Sequence, residues 1–199
     1  MKFQGRFWQW FKNGLTIMLA LSFVFAFTGR FYTPSDTLPK NTRLPQFKLH
    51  KLQEKPATMT AKDLQGRGVM LHFWASWCNA CKRGMPSIEA LHKRFSGEHF
   101  QVLGVTGEEN PQAALSYLKK RGYRFPNIWD QGGKLGSRFK VRSIPFTVFM
   151  GPDGKLVGDM TGIVSESEGA ERIEAMLSKA PSSAPASYDN DESPEVRVE

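Results

Sequence analysis

Cysteine and histidine are scarce in this 199-residue chain, which has two cysteines and four histidines. The two cysteines, Cys78 and Cys81, cannot by themselves supply a four-thiolate zinc or iron–sulfur site. No segment of about 20–50 residues recurs, so a solenoid of repeats is excluded. A composition of 40% apolar and 23% charged residues also excludes a wholly disordered chain and a multi-span membrane protein. One globular domain with appendages is therefore expected.

The chain also lacks a basic stripe, although its formal net charge is +8. Its lysines and arginines are scattered, and they are not interleaved with aromatic residues as in nucleic-acid-binding modules. We therefore expect no nucleic-acid partner and interpret the excess charge as a solvated basic surface.

An uncharged run long enough to cross a membrane occurs only near the N-terminus. Residues 15–28 (LTIMLALSFVFAFT) are apolar, and the uncharged window 13–29 would form a helix about 25 Å long. Lys12 and Arg30 at its two ends can reach the membrane surface. We predict an uncleaved signal anchor over residues 1–30, with a cleaved export signal as the alternative. The expected location is the bacterial inner membrane, crossed once, with the following domain on the periplasmic side.

The remaining chain divides by composition. Residues 31–44 are rich in Pro, Thr and Lys and are predicted to be a linker. Residues 45–179 alternate between strand and helix patterns, which predicts an α/β domain with a central mixed sheet flanked by helices on both faces. Residues 180–199 are acidic and of low complexity, and we predict a disordered tail.

Within the domain, apolar runs and turn signals predict the elements in order. The strands are expected near 47–52, at 69–74, 101–105, 128–130, 146–150 and 155–160, with helices beginning at Cys78 and after Asn110, and at 135–139 and 167–178. The run 69–74 (VMLHFW) is typical of a strand buried on both faces.

The Cys-x-x-Cys pair follows that buried strand and begins a helix, which favours redox chemistry. At a helix N-terminus the unpaired N–H groups and the helix dipole lower the pKa of Cys78, making it the attacking thiolate on an exposed sulfur. Cys81, one turn further on and deeper, would resolve the mixed disulfide. Two other interpretations of the pair are that it supplies two ligands of a metal site or that it forms an inert disulfide. No metal ligand set is evident beside the pair.

Residues 69–81 (VMLHFWASWCNAC) resemble the active-site strand and loop of the thioredoxin superfamily, in particular its membrane-anchored TlpA/ResA/DsbE-like thiol–disulfide oxidoreductases. Further similarities are Pro86, residues 102–108 (VLGVTGE), the Ser143-Ile144-Pro145 segment and the hairpin at 146–160. The resemblance covers about residues 45–178 and implies a thioredoxin-like fold with no bound cofactor.

The resemblance also implies roles around the cysteines. Pro145 is expected to be a cis-proline that lies against the pair, with a trans proline as the alternative. The Ile144 backbone would pair with an extended client segment. Trp77 would cover the site and offer clients an apolar contact.

The sequence departs from that family in three places. His72 stands where thioredoxins have a buried carboxylate; it could accept a proton from Cys81, or it could be a hydrogen-bonded core histidine. Gly84 replaces a glutamate of the ResA-like reductases, and Glu108 could supply a nearby carboxylate instead or be a solvated loop acid. The Asn79-Ala80 pair lacks the proline of many reducing relatives.

The expected function is therefore disulfide exchange with protein clients, as a reductase re-reduced by a membrane thiol donor and with cytochrome c maturation as one setting. An oxidase or isomerase of the same fold is the alternative direction. A peroxidase of the wider fold would need threonine where Ala75 stands. A copper chaperone would use the two thiolates as soft ligands.

Overall fold

A mixed β-sheet forms the centre of the computed structural model, which describes Met18 and residues 38–54, 57–178 and 196–197. The strands are β1 (Phe47–Lys51), β2 (Thr58–Thr60), β3 (Gly68–Phe73), β4 (Phe100–Thr106), β5 (Asn127–Trp129), β6 (Phe146–Met150), β7 (Leu156–Thr161) and β8 (Val196–Arg197). The helices are α1 (Asn79–Phe95), α2 (Pro111–Arg121), α3 (Lys134–Arg138) and α4 (Glu166–Ser178). A 3₁₀ turn at Ala61–Leu64 precedes β3.

The strand order is β2-β1-β5-β4-β3-β6-β7, and β8 pairs with β1. β3, β4 and β5 run parallel, whereas β1, β6 and β7 pair antiparallel with their neighbours in this order. All six residues of β3 are buried, because β4 and β6 flank it and both of its faces are covered. The predicted central mixed sheet and the thioredoxin-like fold are confirmed.

Two apolar cores cover the two faces of the sheet. One core contains the inward residues of the three long helices, including Met85, Leu118 and Ile173. The other contains Leu135 from α3 together with residues of the N-terminal part of the domain. Helices therefore cover both faces, but the long ones share a face. Alternate residues of β3 enter alternate cores, as the period of two in a strand requires.

The predicted linker 31–44 is wrong at its C-terminal end. Leu38 and Leu44 are buried in the core, and the Leu38 N–H donates to the Asp159 carboxylate at 2.9 Å. Residues 42–44 also exchange backbone hydrogen bonds with the β6–β7 turn. The polar composition of this segment concealed the two leucines that attach it to the domain.

The predicted disordered tail is wrong at Val196–Arg197, which pair in parallel with Phe47 and Lys48 of β1. The sequence analysis also missed β2 and the 3₁₀ turn, because three residues are too short to show a strand period. The remaining bounds agree within about two residues, which is the ordinary uncertainty at element ends.

The predicted signal anchor at 1–30, apart from Met18, and the linker residues 31–37 lie outside the described residues. So do the tail residues 180–195 and 198–199. Among the helices that are described, none has the length and apolar character to cross a membrane.

Candidate active site

Cys78 and Cys81 form a disulfide at the junction of β3 and α1, with their Cα atoms 5.2 Å apart. Cys78 is the N-cap residue of α1, and its sulfur accepts a hydrogen bond from the Cys81 N–H at 3.1 Å. The first turn of α1 contains no acidic residue. The helix N-terminus therefore presents its N–H groups to the Cys78 sulfur, an arrangement that stabilises a thiolate.

The two cysteines differ in depth as predicted, since Cys81 has no exposed surface and Cys78 retains 7%. The expectation of an openly exposed Cys78 is wrong in this oxidised state. Its N–H donates to the Ala75 carbonyl at 3.1 Å, and its sulfur lies 3.8 Å from the Ile144 carbonyl oxygen. The surrounding loop therefore leaves a narrow approach to the outer sulfur.

The Ile144–Pro145 peptide bond is cis, which confirms the prediction. The Pro145 carbonyl accepts a hydrogen bond from the Gly162 N–H at 2.8 Å, which attaches this loop to the end of β7. In the described structure no backbone–backbone hydrogen bond uses the N–H or the C=O of Ile144. Because Ile144 lies beside Cys78, these two groups are available to an extended segment that approaches the sulfur.

Trp77 is 69% exposed, which makes it one of the few large apolar side chains on the described surface. It immediately precedes Cys78 and lines a pocket of about 720 Å³ beside the disulfide. Walls of this pocket come from the ends of β3 and β4, from α3 and from the loop before Pro145; they include Phe73, Trp74, Val105, Val141 and Ile144. Polar side chains, Glu108 and Asp130 among them, also line this pocket, which reaches Trp77 and Ile144, the residues next to the outer sulfur.

His72 is buried in β3, and burial lowers its pKa to about 4. Its Nδ1 lies 2.9 Å from Oγ1 of Thr147, its cross-strand neighbour in β6. Its Nε2 is buried and has no hydrogen-bond partner in the described structure. Because His72 alternates with Met70 and Trp74, it faces the core that contains Cys81. The ring is therefore neutral at pH 7, with one nitrogen unused.

Glu108 is buried in the β4–α2 loop and is not a solvated loop acid. One carboxylate oxygen accepts a hydrogen bond from the Ser76 N–H, and the other accepts from the Ser76 hydroxyl at 2.8 Å. The Glu108 carbonyl accepts from Nε1 of Trp129 at 2.8 Å. The carboxylate therefore contacts the cysteine loop two residues before Cys78.

Sequence reasoning missed three polar residues at this end of the sheet. Ser76 is the partner of Glu108. Asn127 accepts a hydrogen bond from Nε1 of Trp74 at 2.8 Å and is fully buried. Asp130 caps α3 by accepting from two backbone N–H groups at 2.9 and 2.8 Å. Burial raises the Asp130 pKa, against the opposing effect of those N–H groups. The available signal was their place near strand ends: Asn127 begins β5, Asp130 follows it directly, and Ser76 comes soon after β3.

The structure brings the predicted residues Cys78, Cys81, Ile144, Pro145 and Trp77 together. His72 lies in β3 and faces the apolar core that contains Cys81. Glu108 contacts the cysteine loop through Ser76. At Gly84, a Cβ atom would lie 3.3 Å from Cγ2 of Ile163, so a side chain at this position would require Ile163 to shift. Among the described residues no group of three or more His, Cys, Asp or Glu side chains could hold a metal ion.

A thioredoxin fold with a Cys-x-x-Cys disulfide at a strand-to-helix junction, opposite a cis-proline, defines the class of thioredoxin-like thiol–disulfide oxidoreductases. The comparisons with known proteins agree. Residues 41–158 match the AhpC/TSA family; this match covers more than half of the chain, and the chain belongs to that family.

Several relatives carry the same class of name. Thiol-disulfide oxidoreductase ResA of Bacillus subtilis (strain 168) is 26% identical over 156 residues, which are 78% of this chain and 86% of the relative. ResA of Bacillus thuringiensis (strain Al Hakam) is 27% identical over 165 residues, or 82% and 92% of the two chains. A secreted Mycobacterium tuberculosis disulfide oxidoreductase homologous to E. coli DsbE superposes with a TM-score of 0.57 at 27% identity, covering 65% of this chain and 96% of that one.

Proposed function

We propose that this thiol–disulfide oxidoreductase exchanges disulfides with protein clients outside the cytoplasm, with Cys78 attacking and Cys81 resolving. One observation carries the proposal: the N-cap sulfur of Cys78 lies beside an Ile144 backbone without backbone partners. A client segment that pairs with Ile144 would bring its own disulfide to the outer sulfur. The pocket between Trp77 and Ile144 would hold a client side chain near the client cysteine.

In the reducing direction, the reaction takes two steps. The Cys78 thiolate attacks a client disulfide, its S–S bond breaks, and one client sulfur leaves as a thiol after taking a proton. Cys81 then loses its proton and attacks the Cys78 sulfur, which releases the second client thiol. The client gains two electrons, and the enzyme returns to the disulfide seen here.

His72 is our candidate acceptor for the Cys81 proton, because its neutral ring has an unpartnered nitrogen on the face of that core. If His72 is only a core residue, the His72→Asn variant will resolve mixed disulfides with an unchanged pH profile. A proton acceptor would instead shift the profile of the resolving step while leaving Cys78 alkylation unchanged.

We further propose the reducing direction and attachment to a bacterial inner membrane through residues 1–30. The resemblance to the TlpA/ResA/DsbE-like proteins supports the direction, and the basic residues that precede the apolar run support the topology. A membrane thiol donor would restore the dithiol, and cytochrome c maturation is one setting for it. Reporter fusions after residue 37, active only outside the cytoplasm, would support the topology, and cytoplasmic activity would contradict it.

Equilibration with glutathione tests the direction. A reductase is expected to have a potential more negative than about −200 mV, whereas a value near the −120 mV of DsbA would indicate an oxidase.

The identity of clients is tested by the Cys81→Ser variant, which should accumulate mixed disulfides through Cys78. The Cys78→Ser variant is the matched control and should accumulate none. A Cys81→Ser protein that forms no adduct with disulfide-bonded proteins would contradict the proposal. Tight one-to-one Cu(I) binding by the reduced chain in that case would favour the chaperone alternative.

A further inference from the structure

The contact between Glu108 and Ser76 points to a role in the same reaction that differs from proton transfer. We propose that Glu108 is a positioning residue: its carboxylate holds Ser76 and thereby sets the geometry of the loop that carries Trp77 and Cys78. This inference rests on the proposed function, because it concerns how the outer sulfur meets a client disulfide. Ser76 is the residue through which Glu108 acts on this loop.

The geometry uses both carboxylate oxygens on one residue. One oxygen accepts from the Ser76 backbone N–H and the other from its hydroxyl, so the carboxylate orients the main chain and the side chain together. Hydrogen bonds to an ionised acceptor are about twice as strong as neutral ones. Ser76 is two residues from Cys78, and Trp77 between them is largely exposed. The hydrogen bonds to Glu108 are therefore the main polar contact described between residues 76–78 and the rest of the fold.

Glu108 is itself held in place from two directions. Its carbonyl accepts the Trp129 indole N–H, which ties it to the end of β5, and its side chain is buried. The position of the cysteine loop therefore depends, through this contact, on the ends of β4 and β5. Exchange requires the attacking sulfur in line with the client S–S bond, and a displacement of about 1 Å can cost a hundredfold in rate.

The hydrogen bonds described for the Glu108 carboxylate go to Ser76, and none of them goes to a cysteine sulfur. A glutamine at this position can keep both contacts, because its oxygen accepts from the Ser76 N–H and its amide group donates to the Ser76 oxygen. The same substitution removes all proton-carrying ability. Glu108→Gln therefore separates positioning from proton transfer.

The test uses the full chain in detergent and measures the second-order rate constant for insulin reduction by the pre-reduced protein in a single turnover. Because Ser76→Ala keeps the backbone N–H that donates to Glu108, we expect it to lower this rate constant about fivefold and Glu108→Ala to lower it about tenfold, with the double variant no worse than Glu108→Ala. Glu108→Gln should stay within about threefold of the unsubstituted chain. Glu98→Gln, which removes an exposed charge from the loop before β4 and away from the pocket, is the charge control.

A second readout distinguishes this role from a merely structural one. In the Cys81→Ser background, the pH midpoint of Cys78 alkylation should be the same in Ser76→Ala and in Glu108→Gln. Additive losses, or a Glu108→Gln variant as impaired as Glu108→Ala with a shifted pH profile, would overturn the inference. If Glu108→Ala does not fold, Ser76→Ala against Glu108→Gln still decides. Absence of exchange in the unsubstituted chain would instead refute the proposed function.

Discussion

Acidification should destabilise the protein through His72 in a way that a single variant can isolate. The perturbation is a fall in pH from 7 to 4, applied to the unsubstituted chain and to His72→Asn. Asparagine can keep the hydrogen bond to Thr147 Oγ1 but does not titrate in this range. The difference between the two proteins therefore reports the protonation of one imidazole.

The sign and size follow from the pKa of His72, which burial lowers from 6.5 to about 4. Below pH 6.5 the unfolded chain binds a proton that the folded chain refuses, so stability falls as the pH falls and levels off below about 4. A difference of roughly 2.5 pH units at 1.36 kcal/mol per unit gives about 3 kcal/mol.

Urea unfolding at several pH values measures this difference, with reduced and oxidised protein compared separately. We expect the free energy of unfolding of the unsubstituted chain to fall by about 3 kcal/mol more than that of His72→Asn between pH 7 and 4. Asp130, whose pKa is raised, gains stability on acidification, but it is present in both proteins and cancels. Parallel pH profiles for the two proteins would refute the reasoning.

Substitutions at three further residues test the surroundings of the site. Gly104→Ala should lower the free energy of unfolding in urea by about 3 kcal/mol, because its Cβ would lie 1.9 Å from Oδ1 of Asn127, which accepts a hydrogen bond from Trp74. A loss below about 1 kcal/mol would contradict this expectation. Asp130→Ala should lower stability by about 2 kcal/mol, since two buried N–H groups of α3 lose their acceptor, and Asp130→Asn should recover part of this in thermal unfolding. Because Trp77 is largely exposed, Trp77→Ala should change the free energy of unfolding by less than about 0.5 kcal/mol. The same variant should lower kcat/KM for insulin several-fold. Its rate of exchange with glutathione, the control, should be unaffected.

Much of the site was predictable because its key residues are close together in sequence. A buried strand followed at once by Cys-x-x-Cys fixes both the helix N-terminus and the depth order of the two sulfurs. The cis-proline position was also predicted, but through family resemblance, since no local pattern distinguishes Ile144–Pro145 from an ordinary strand start.

Contacts between distant segments were not predictable in the same way. Ser76 and Glu108 are 32 residues apart and meet only because β3 and β4 run parallel and end at the same edge of the sheet. Leu38 and Leu44 have no periodic pattern, yet the β6–β7 turn provides a surface on which they become buried.

The sequence by itself determined the reactive pair, its place at a helix N-terminus and the α/β order of the elements, because those depend on residues within a few turns of one another. Only the tertiary structure decided which groups surround the pair. It buried His72 with an unused nitrogen, left the Ile144 backbone without backbone partners and placed the Glu108 carboxylate on Ser76. Such contacts depend on strand order and register, which bring together side chains that no local pattern relates.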